Sequence, residues 1–398
     1  MPDSTVPAPW LKVPVHVLRT SPALYTARVS DTVSPPPPAP AAPPASAQWR
    51  GVLTEYAERL PDEATSVPVT LREGGTPLIY SCELSERTGC QVWLKFEGAN
   101  PTGSFKDRGM AAAISGAVTT GAEGVICAST GNTSAAAAAY AGKARLTCGV
   151  IVPRGKIALG KLAQALVHGA TVLQVDGSFD DALQVCRDLD ERYPVELVNS
   201  VNPLRIQGQK TAAFEVCDFL GRAPDVHVMP VGNAGNITAY WLGYREYAEE
   251  GIIDALPVMR GFQAAGAAPI VAGHRVADPT TIATAIRIGN PASWESAVAA
   301  ADESGGSIRS VTDRDILNAY RAVAREGVFC EMASAASVAG LLALSDAGEL
   351  APDQTVVCVL TGHGLKDPDW AIAGAAPPPV VEADVDAAAA RLGLSGAV

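Results

Sequence analysis

The feature that most constrains this chain is an alternation running from residue 91 to residue 230: short, continuous apolar runs separated by stretches with helical periodicity. "QVWLKFEG", "EGVICAS", "RLTCGVIVP", "GATVLQVD", "PVELVNS" and "DVHVMPVG" are runs of the first kind. Their length, turn residues at each end and β-branched content predict strands buried on both faces. Between them lie the helical patterns "NTSAAAAAYAGKA", "KIALGKLAQALVHG", "SFDDALQVCRDLDERY" and "RIQGQKTAAFEVCDFL". Ser178 with Asp181, and Thr312 with Asp315, supply the S/T-x-x-D pattern that starts a helix. Repeated strand–helix units predict an α/β protein with parallel sheets and right-handed crossovers. In such folds ligands bind where strands end at their carboxyl termini, so those junctions are where chemistry is sought.

Composition narrows the function. The 398 residues allow about two domains. Thirty Lys and Arg stand against 42 Asp and Glu, a net charge of −12. No long basic cluster interrupts that acidity, which argues against nucleic acid. An anionic small molecule needs a locally positive site within a repulsive field. The eight cysteines form no C-x-x-C pair and no Cys/His cluster, so neither zinc nor any other metal is expected, and free thiols in a reducing cytosol are the simplest reading. No stretch is long and apolar enough for a membrane span, and "MPDSTVPAPW" lacks the basic start of a signal peptide. A cytoplasmic location is the expectation. Residues 1–50, with "SPPPPAPAAPPAS", predict a disordered or polyproline tail, and 376–398 a Pro-rich linker followed by a short Ala-rich helix.

Four strand-to-helix junctions are unusual. "NPTGSFKDRGM" places Lys106 at the start of a helix. "ASTGNTSAAAA" gathers Ser129, Thr130, Gly131, Asn132 and Thr133, hydroxyls and an amide suited to a carboxylate at a helix start. "MPVGNAGNITAYW" offers Gly232, Asn233, Ala234, Gly235 and Asn236, whose backbone N–H groups and following helix suit a phosphate. It is neither a P-loop, lacking G-K-[ST], nor a dinucleotide fingerprint. "VLTGHGLKDPD" sets Thr361 at the end of the last apolar run. Taken singly, the second and third read as well as ordinary helix caps and turns. Together they supply an amine, a phosphate cradle, a carboxylate seat and a hydroxyl, the parts that pyridoxal 5'-phosphate requires.

From "LREGGTPL" at 71–78 to "TGHGLKDPD" at 361–369 the chain resembles the threonine synthases, a family with the type II, tryptophan-synthase-β-like pyridoxal-phosphate fold. "LKFEGANPTGSFKDRGM", "CASTGNTSAAAAAYA", "GKIALGKLAQALVHGA" and "TIATAIRIGNPASW" carry the resemblance, and the pairing of "RIQGQKTAAFE" with "GNAGNITAYW" makes it specific. The resemblance implies two parallel-sheet domains: a larger one from 51–105 plus 226–375, and a smaller one, 106–225, inserted into it. It also implies a homodimer formed through the larger domain. Lys106 would be the Schiff-base lysine and Asn132 would meet the cofactor's phenolic oxygen. Gly232, Asn233, Ala234, Gly235 and Asn236 would hold its phosphate, and Thr361 its pyridine nitrogen.

The implied reaction converts O-phospho-L-homoserine and water to L-threonine and phosphate. A specialised γ-replacement enzyme or a serine/threonine dehydratase of the same fold is the alternative. For the dianionic substrate, Arg108, Arg154, Lys156, Lys161, Arg205 and Lys210 lie in or beside the motifs, with Arg205 the best single candidate and Ser129, Thr130, Thr133, Arg154 and Lys156 the other substrate candidates. His168 and His227, in apolar contexts, are expected to be structural, and His363 to pack or hydrogen-bond beside Thr361. The chain departs from the family in writing "EMASAAS", with Met332 where proline is usual, and in carrying Gln207 and Arg154.

Overall fold

The computed structural model describes residues 48–154, 159–373 and 376–394, with no side chains described for 159–161. The tail reading up to residue 47, and the candidates Lys156 and the Lys161 side chain, lie outside the described residues.

Among the described residues ten strands form two sheets. In chain order they are β1 (Leu78–Tyr80), β2 (Gln91–Phe96), β3 (Gly124–Ala128), β4 (Thr147–Pro153), β5 (Thr171–Val175), β6 (Val195–Leu197), β7 (Val226–Pro230), β8 (Val258–Ala264), β9 (Ser307–Val311) and β10 (Thr355–Leu360). The larger sheet has the order β1-β2-β10-β7-β8-β9 and the smaller β5-β4-β3-β6. All pairings are parallel except that of β1 with β2, where Leu78 faces Lys95 and Tyr80 faces Trp93. The sequence reading did not include this antiparallel edge. Three residues leave no periodicity to detect, and a short edge strand limits edge-to-edge pairing.

Strands β3, β7 and β10 are buried along their whole length, as continuous apolar runs between two helical layers should be. The run "GATVLQVD" reads the same in sequence but forms β5, an edge strand on which Leu173 is exposed. An apolar run does not reveal whether its strand has a neighbour on both sides.

The helices that position the site are α1 (Lys106–Thr120), α2 (Asn132–Ala144), α3 (Leu159–Val167), α4 (Phe179–Arg192), α5 (Pro203–Leu220), α6 (Gly235–Glu249) and α7 (Ala335–Asp346). Each of α1, α2 and α6 begins within seven residues of a strand's end or at the lysine turn. Helix α1 is buried on all sides, from Asp107 to Ala117. Its run of Gly, Ala and Ser lets it lie between neighbours without an amphipathic stripe. It crosses α5 at Gly109, where a Cβ would stand 2.6 Å from the carbonyl oxygen of Arg205. The capping boxes expected at Ser178 and Thr312 both form.

Candidate active site

A cleft of about 1590 Å³ opens at the carboxyl ends of β3, β7 and β10. Its wall includes Lys106, Ser129 to Thr133, Gly232 to Asn236, and Thr361, so all four unusual junctions meet in one place.

Backbone bonds between distant segments stitch the lysine turn to the Thr361 turn. Phe105 N–H donates to the Thr361 carbonyl at 3.0 Å, and His363 N–H to the Gly103 carbonyl at 2.9 Å. Within the turn, Asp107 accepts from the Thr102 N–H at 2.6 Å. Lys106 Nζ lies 4.5 Å from the centre of the Phe105 ring. Burial, and then the positive charge of Arg205, push the Lys106 ammonium down to about 7, with Glu331 acting in the opposite direction. A lysine at that value is largely a nucleophilic free amine just above neutrality.

The 232–236 loop is shaped by close approach. A Cβ on Gly232 would stand 2.9 Å from the Ile286 Cα, so a larger residue there would displace the backbone behind it. Ala234 adopts φ 67°, a left-handed conformation that costs roughly 1–2 kcal/mol for a non-glycine residue. That geometry turns successive N–H groups toward one point, a nest for an anion, and α6 starts at the next residue. Asn236 Nδ2 is buried without a partner. The side chain of Asn233 is committed elsewhere: Nδ2 donates to Ser200 Oγ, and Oδ1 accepts from Ala292 N–H at 2.7 Å. Only its backbone remains to face a phosphate. These features fit the phosphate of pyridoxal phosphate.

At the opposite side Thr361 Oγ1 donates to Glu331 Oε1 at 3.0 Å and lies 3.1 Å from Ser334 Oγ. Asn132 Nδ2 donates to Glu331 Oε2 at 2.9 Å. Burial pushes the Glu331 carboxyl up, against the donated bonds of Asn132 and Thr361. Sequence reasoning assigned Glu331 no role. A lone acid within the small, apolar stretch "FCEMASAAS" was the available signal.

The candidate cations separate. Arg205 is fully buried and does not line the cleft; Nη1 donates to the Val198 carbonyl at 2.8 Å, while Nε and Nη2 have no partner among the described residues. Arg108 is spent in a buried network, with Nε on Glu97 Oε2 at 2.7 Å and Nη1 on Glu215 Oε1 at 2.5 Å. Lys210 pairs with Glu246. Arg154 is exposed and pairs with the exposed Asp176, and it does not line the cleft. Arg187, Arg275, Arg287 and Lys366 do line it, and none of these was singled out from sequence. His227 is buried against Tyr244, His168 is exposed at a helix end, and His363 lines the cleft between Phe96 and Phe329.

Comparison with known proteins fixes the class. A family model described as pyridoxal-phosphate dependent enzyme matches residues 69–362. Threonine synthase of Mycobacterium leprae is 59% identical over 87% of this chain and 97% of its own length. That of Halalkalibacterium halodurans is 58% identical over 82% of this chain and 92% of its own. The chain belongs to the threonine synthase family of pyridoxal-phosphate dependent enzymes. The fold is also that of a threonine deaminase from Solanum lycopersicum, with a TM-score of 0.65 at 21% identity over 81% of this chain and 94% of that one. It is the type II pyridoxal-phosphate fold, and the cofactor is pyridoxal phosphate.

Proposed function

We infer that the protein converts O-phospho-L-homoserine and water to L-threonine and inorganic phosphate. The observation that carries this reading is one cleft in which Lys106, the 129–133 turn, the 232–236 loop and Thr361 meet beside Arg187, Arg275, Arg287 and Lys366. Arg205 does not line it but is a buried guanidinium with two unspent donors whose charge acts on the Lys106 amine. A buried cation with free donors is costly unless an anion completes it. Planar N–H donors suit a phosphate. The carboxylate of the substrate would sit on Ser129, Thr130 and Thr133 at the start of α2, which its N-cap residue, Gly131, does not cap with a side chain.

Lys106 would hold the cofactor, with Asn132 and Thr361 on the two polar edges of its ring and the 232–236 loop on its phosphate. Bound there, pyridoxal phosphate supplies the sink that stabilises negative charge developed on the substrate's carbons. Lys106 Nζ would accept a proton from Cα, and its lowered basicity lets it return that proton near neutral pH. It would then take one proton from Cβ. The Cγ–O bond to phosphate breaks, Cγ gains one proton to become the methyl group, water gives its hydroxyl to Cβ and its other proton to the released phosphate, and Cα regains its proton. The two sheet-bearing parts, 106–225 and 51–105 plus 226–375, would close to exclude water until that addition, and Arg275 with Asp180 already bridges them at 2.7 Å.

All eight cysteines are free and seven are buried, which supports a reducing cytoplasm as the working compartment. Among the described residues no helix is long and apolar enough to cross a membrane. A homodimer would cover the β1 edge, where exposed Tyr80 and Phe219 each pack edge to face on Trp93, at 5.2 and 5.3 Å.

The test is product identification with purified protein, pyridoxal phosphate and O-phosphohomoserine. Equimolar threonine and phosphate are expected. Keto acid formed from threonine without phosphate dependence would replace this reading with that of a dehydratase.

A further inference from the structure

Of helix α5, Ile206 and Gln209 line the cleft. Gln209 is 3% exposed, so what little surface it keeps opens there. Its polar neighbours on the helix are spent: Lys210 Nζ donates to Glu246 at 2.8 Å and Thr211 Oγ1 to the Gly208 carbonyl at 2.7 Å. No hydrogen bond reaches the Gln209 amide among the described residues. An amide carries two donors and an acceptor, and leaving them unmet in so enclosed a place is costly.

Contacts on either side locate that amide. Ile206, three residues earlier and so on the same side of α5, has its Cδ1 3.5 Å from where a Cβ on Gly235 would stand, against the 232–236 loop. Arg205, four residues earlier, shares that side. A Cβ on Gly109 would stand 2.7 Å from Gln209 Nε2 and 3.0 Å from Arg205 Nε. Amide and guanidinium thus converge on one point of α1, a turn beyond Lys106. Gln209 lies between the lysine helix and the phosphate loop.

The unmet groups around it are donors. Arg205 Nε and Nη2 and Asn236 Nδ2 are buried without partners. Donors cannot satisfy one another, so the missing partner is rich in acceptors, and the charge of Arg205 makes it an anion. We propose that Gln209 is a further phosphate-contacting residue of this active site, its NH₂ donating to a phosphate oxygen. A phosphate oxygen accepts, so the NH₂ turns to it whichever way the amide lies beforehand. Two phosphates share this chemistry: that of the cofactor and that of the substrate. For the second alone, the inference rests on the proposed conversion of O-phosphohomoserine.

The experiment compares phosphorylated with unphosphorylated ligands on the wild type and on Gln209→Met, which keeps the length and removes the amide. The first pair is the dissociation constants of pyridoxal phosphate and of pyridoxal from the apoprotein, read by visible absorbance. The second is the KM for O-phosphohomoserine and the dissociation constant of L-threonine from the holoenzyme. A loss of roughly ten-fold or more, confined to the phosphorylated member of a pair, is expected when one hydrogen bond to a charged group is removed. Loss in the first pair identifies the cofactor's phosphate, and loss in the second the substrate's. Equal losses within both pairs, or none in either, would overturn the proposal, because a packing defect does not single out a phosphate. Should Gln209→Met not fold, a crystal structure of the wild-type holoenzyme with the phosphonate analogue of O-phosphohomoserine decides. Gln209 Nε2 is expected within about 3.2 Å of a phosphate or phosphonate oxygen, and an amide turned from both refutes the assignment. Wild-type protein that forms no threonine would defeat the proposed reaction, and the pyridoxal pair would still decide on Gln209.

Discussion

Gly109 and Arg205 are locked across a helix crossing: a Cβ on Gly109 would stand 2.6 Å from the Arg205 carbonyl oxygen and 3.0 Å from its Nε. The contact is reciprocal, because a Cβ on Gly208 would collide with the Arg108 carbonyl. One helix carries Lys106 and the other Arg205, so this pair of glycines sets the spacing between the amine and the guanidinium.

Gly208→Ala is therefore expected to destabilise the protein by about 1–3 kcal/mol, the usual cost of overpacking, since the obstructing atom is backbone. Lys106 should also move relative to Arg205. Thermal or urea unfolding measures the first effect, and cofactor occupancy under dilution the second. An unchanged melting temperature would mean that the crossing is looser than the packing indicates.

The buried network around Arg108 gives a second expectation. Burial alone would push the Glu215 carboxyl up, but Arg108 and Lys95 overcome it and hold the group at about 2. Its folded value lies below its unfolded one of about 4.3. The stabilisation is thus fully present above about pH 4.3 and is lost as pH falls through about 2. Glu215→Gln leaves Arg108 and Lys95 undercompensated in the interior, and should cost about 3–5 kcal/mol near neutrality. The gap between wild type and variant should narrow steadily below about pH 4 in urea-unfolding measurements. A gap independent of pH would contradict the assignment.

Lys106 offers a third. The trapping of pyridoxal phosphate by borohydride should depend on the fraction of free amine, and so rise with pH through a midpoint of about 7. Lys106→Ala should trap none. Linkage gives a separate signature in the apoprotein. The folded pKa lies below the unfolded one, so the charged lysine is a burden below about pH 7 that is relieved as pH rises toward the unfolded value. Lys106→Met should therefore stabilise the apoprotein most below about pH 7. A midpoint near an ordinary lysine's would show that burial and Arg205 do not govern the amine.

How much of this was legible beforehand depends on where the determining contacts come from. Lys106, the 129–134 turn, the 232–236 loop and Thr361 could be found because each ends an apolar run, and the rule that ligands bind at strand ends does not need partners to be known. Cations could not be sorted. Arg108 and Arg205 both sit in helices beside motif turns, yet one bonds Glu97 and Glu215, 11 and 107 residues away, and the other bonds no acid among the described residues. Arg154 lies on the turn after β4 and yet points to Asp176 at the surface. Residue type and spacing record a charge, whereas its partner is set by the packing of distant segments. Glu331 escaped notice for the same reason: both of its donors come from other motifs, at positions 132 and 361.

Arg205 carries the last expectation, in which stability and activity should separate. With Nε and Nη2 buried and unpaired, the apoprotein bears the desolvation cost of an incomplete guanidinium. Burial lowers its pKa to about 10. Arg205→Met removes that burden and forfeits one hydrogen bond, to the Val198 carbonyl, worth about 0.5–1.5 kcal/mol. The melting temperature of the apoprotein should stay level or rise. Activity should move the other way. Hydrogen bonds to a charged group are worth about 1.5–3 kcal/mol each, so kcat/KM for O-phosphohomoserine should fall by at least ten-fold and by over a hundred-fold if both donors engage the phosphate. Loss of the Arg205 charge should also raise the midpoint for cofactor trapping on Lys106, because that charge now lowers it. A variant that is destabilised but keeps its kcat/KM would make Arg205 a structural residue and leave the substrate phosphate to the cations lining the cleft, Arg187, Arg275, Arg287 and Lys366.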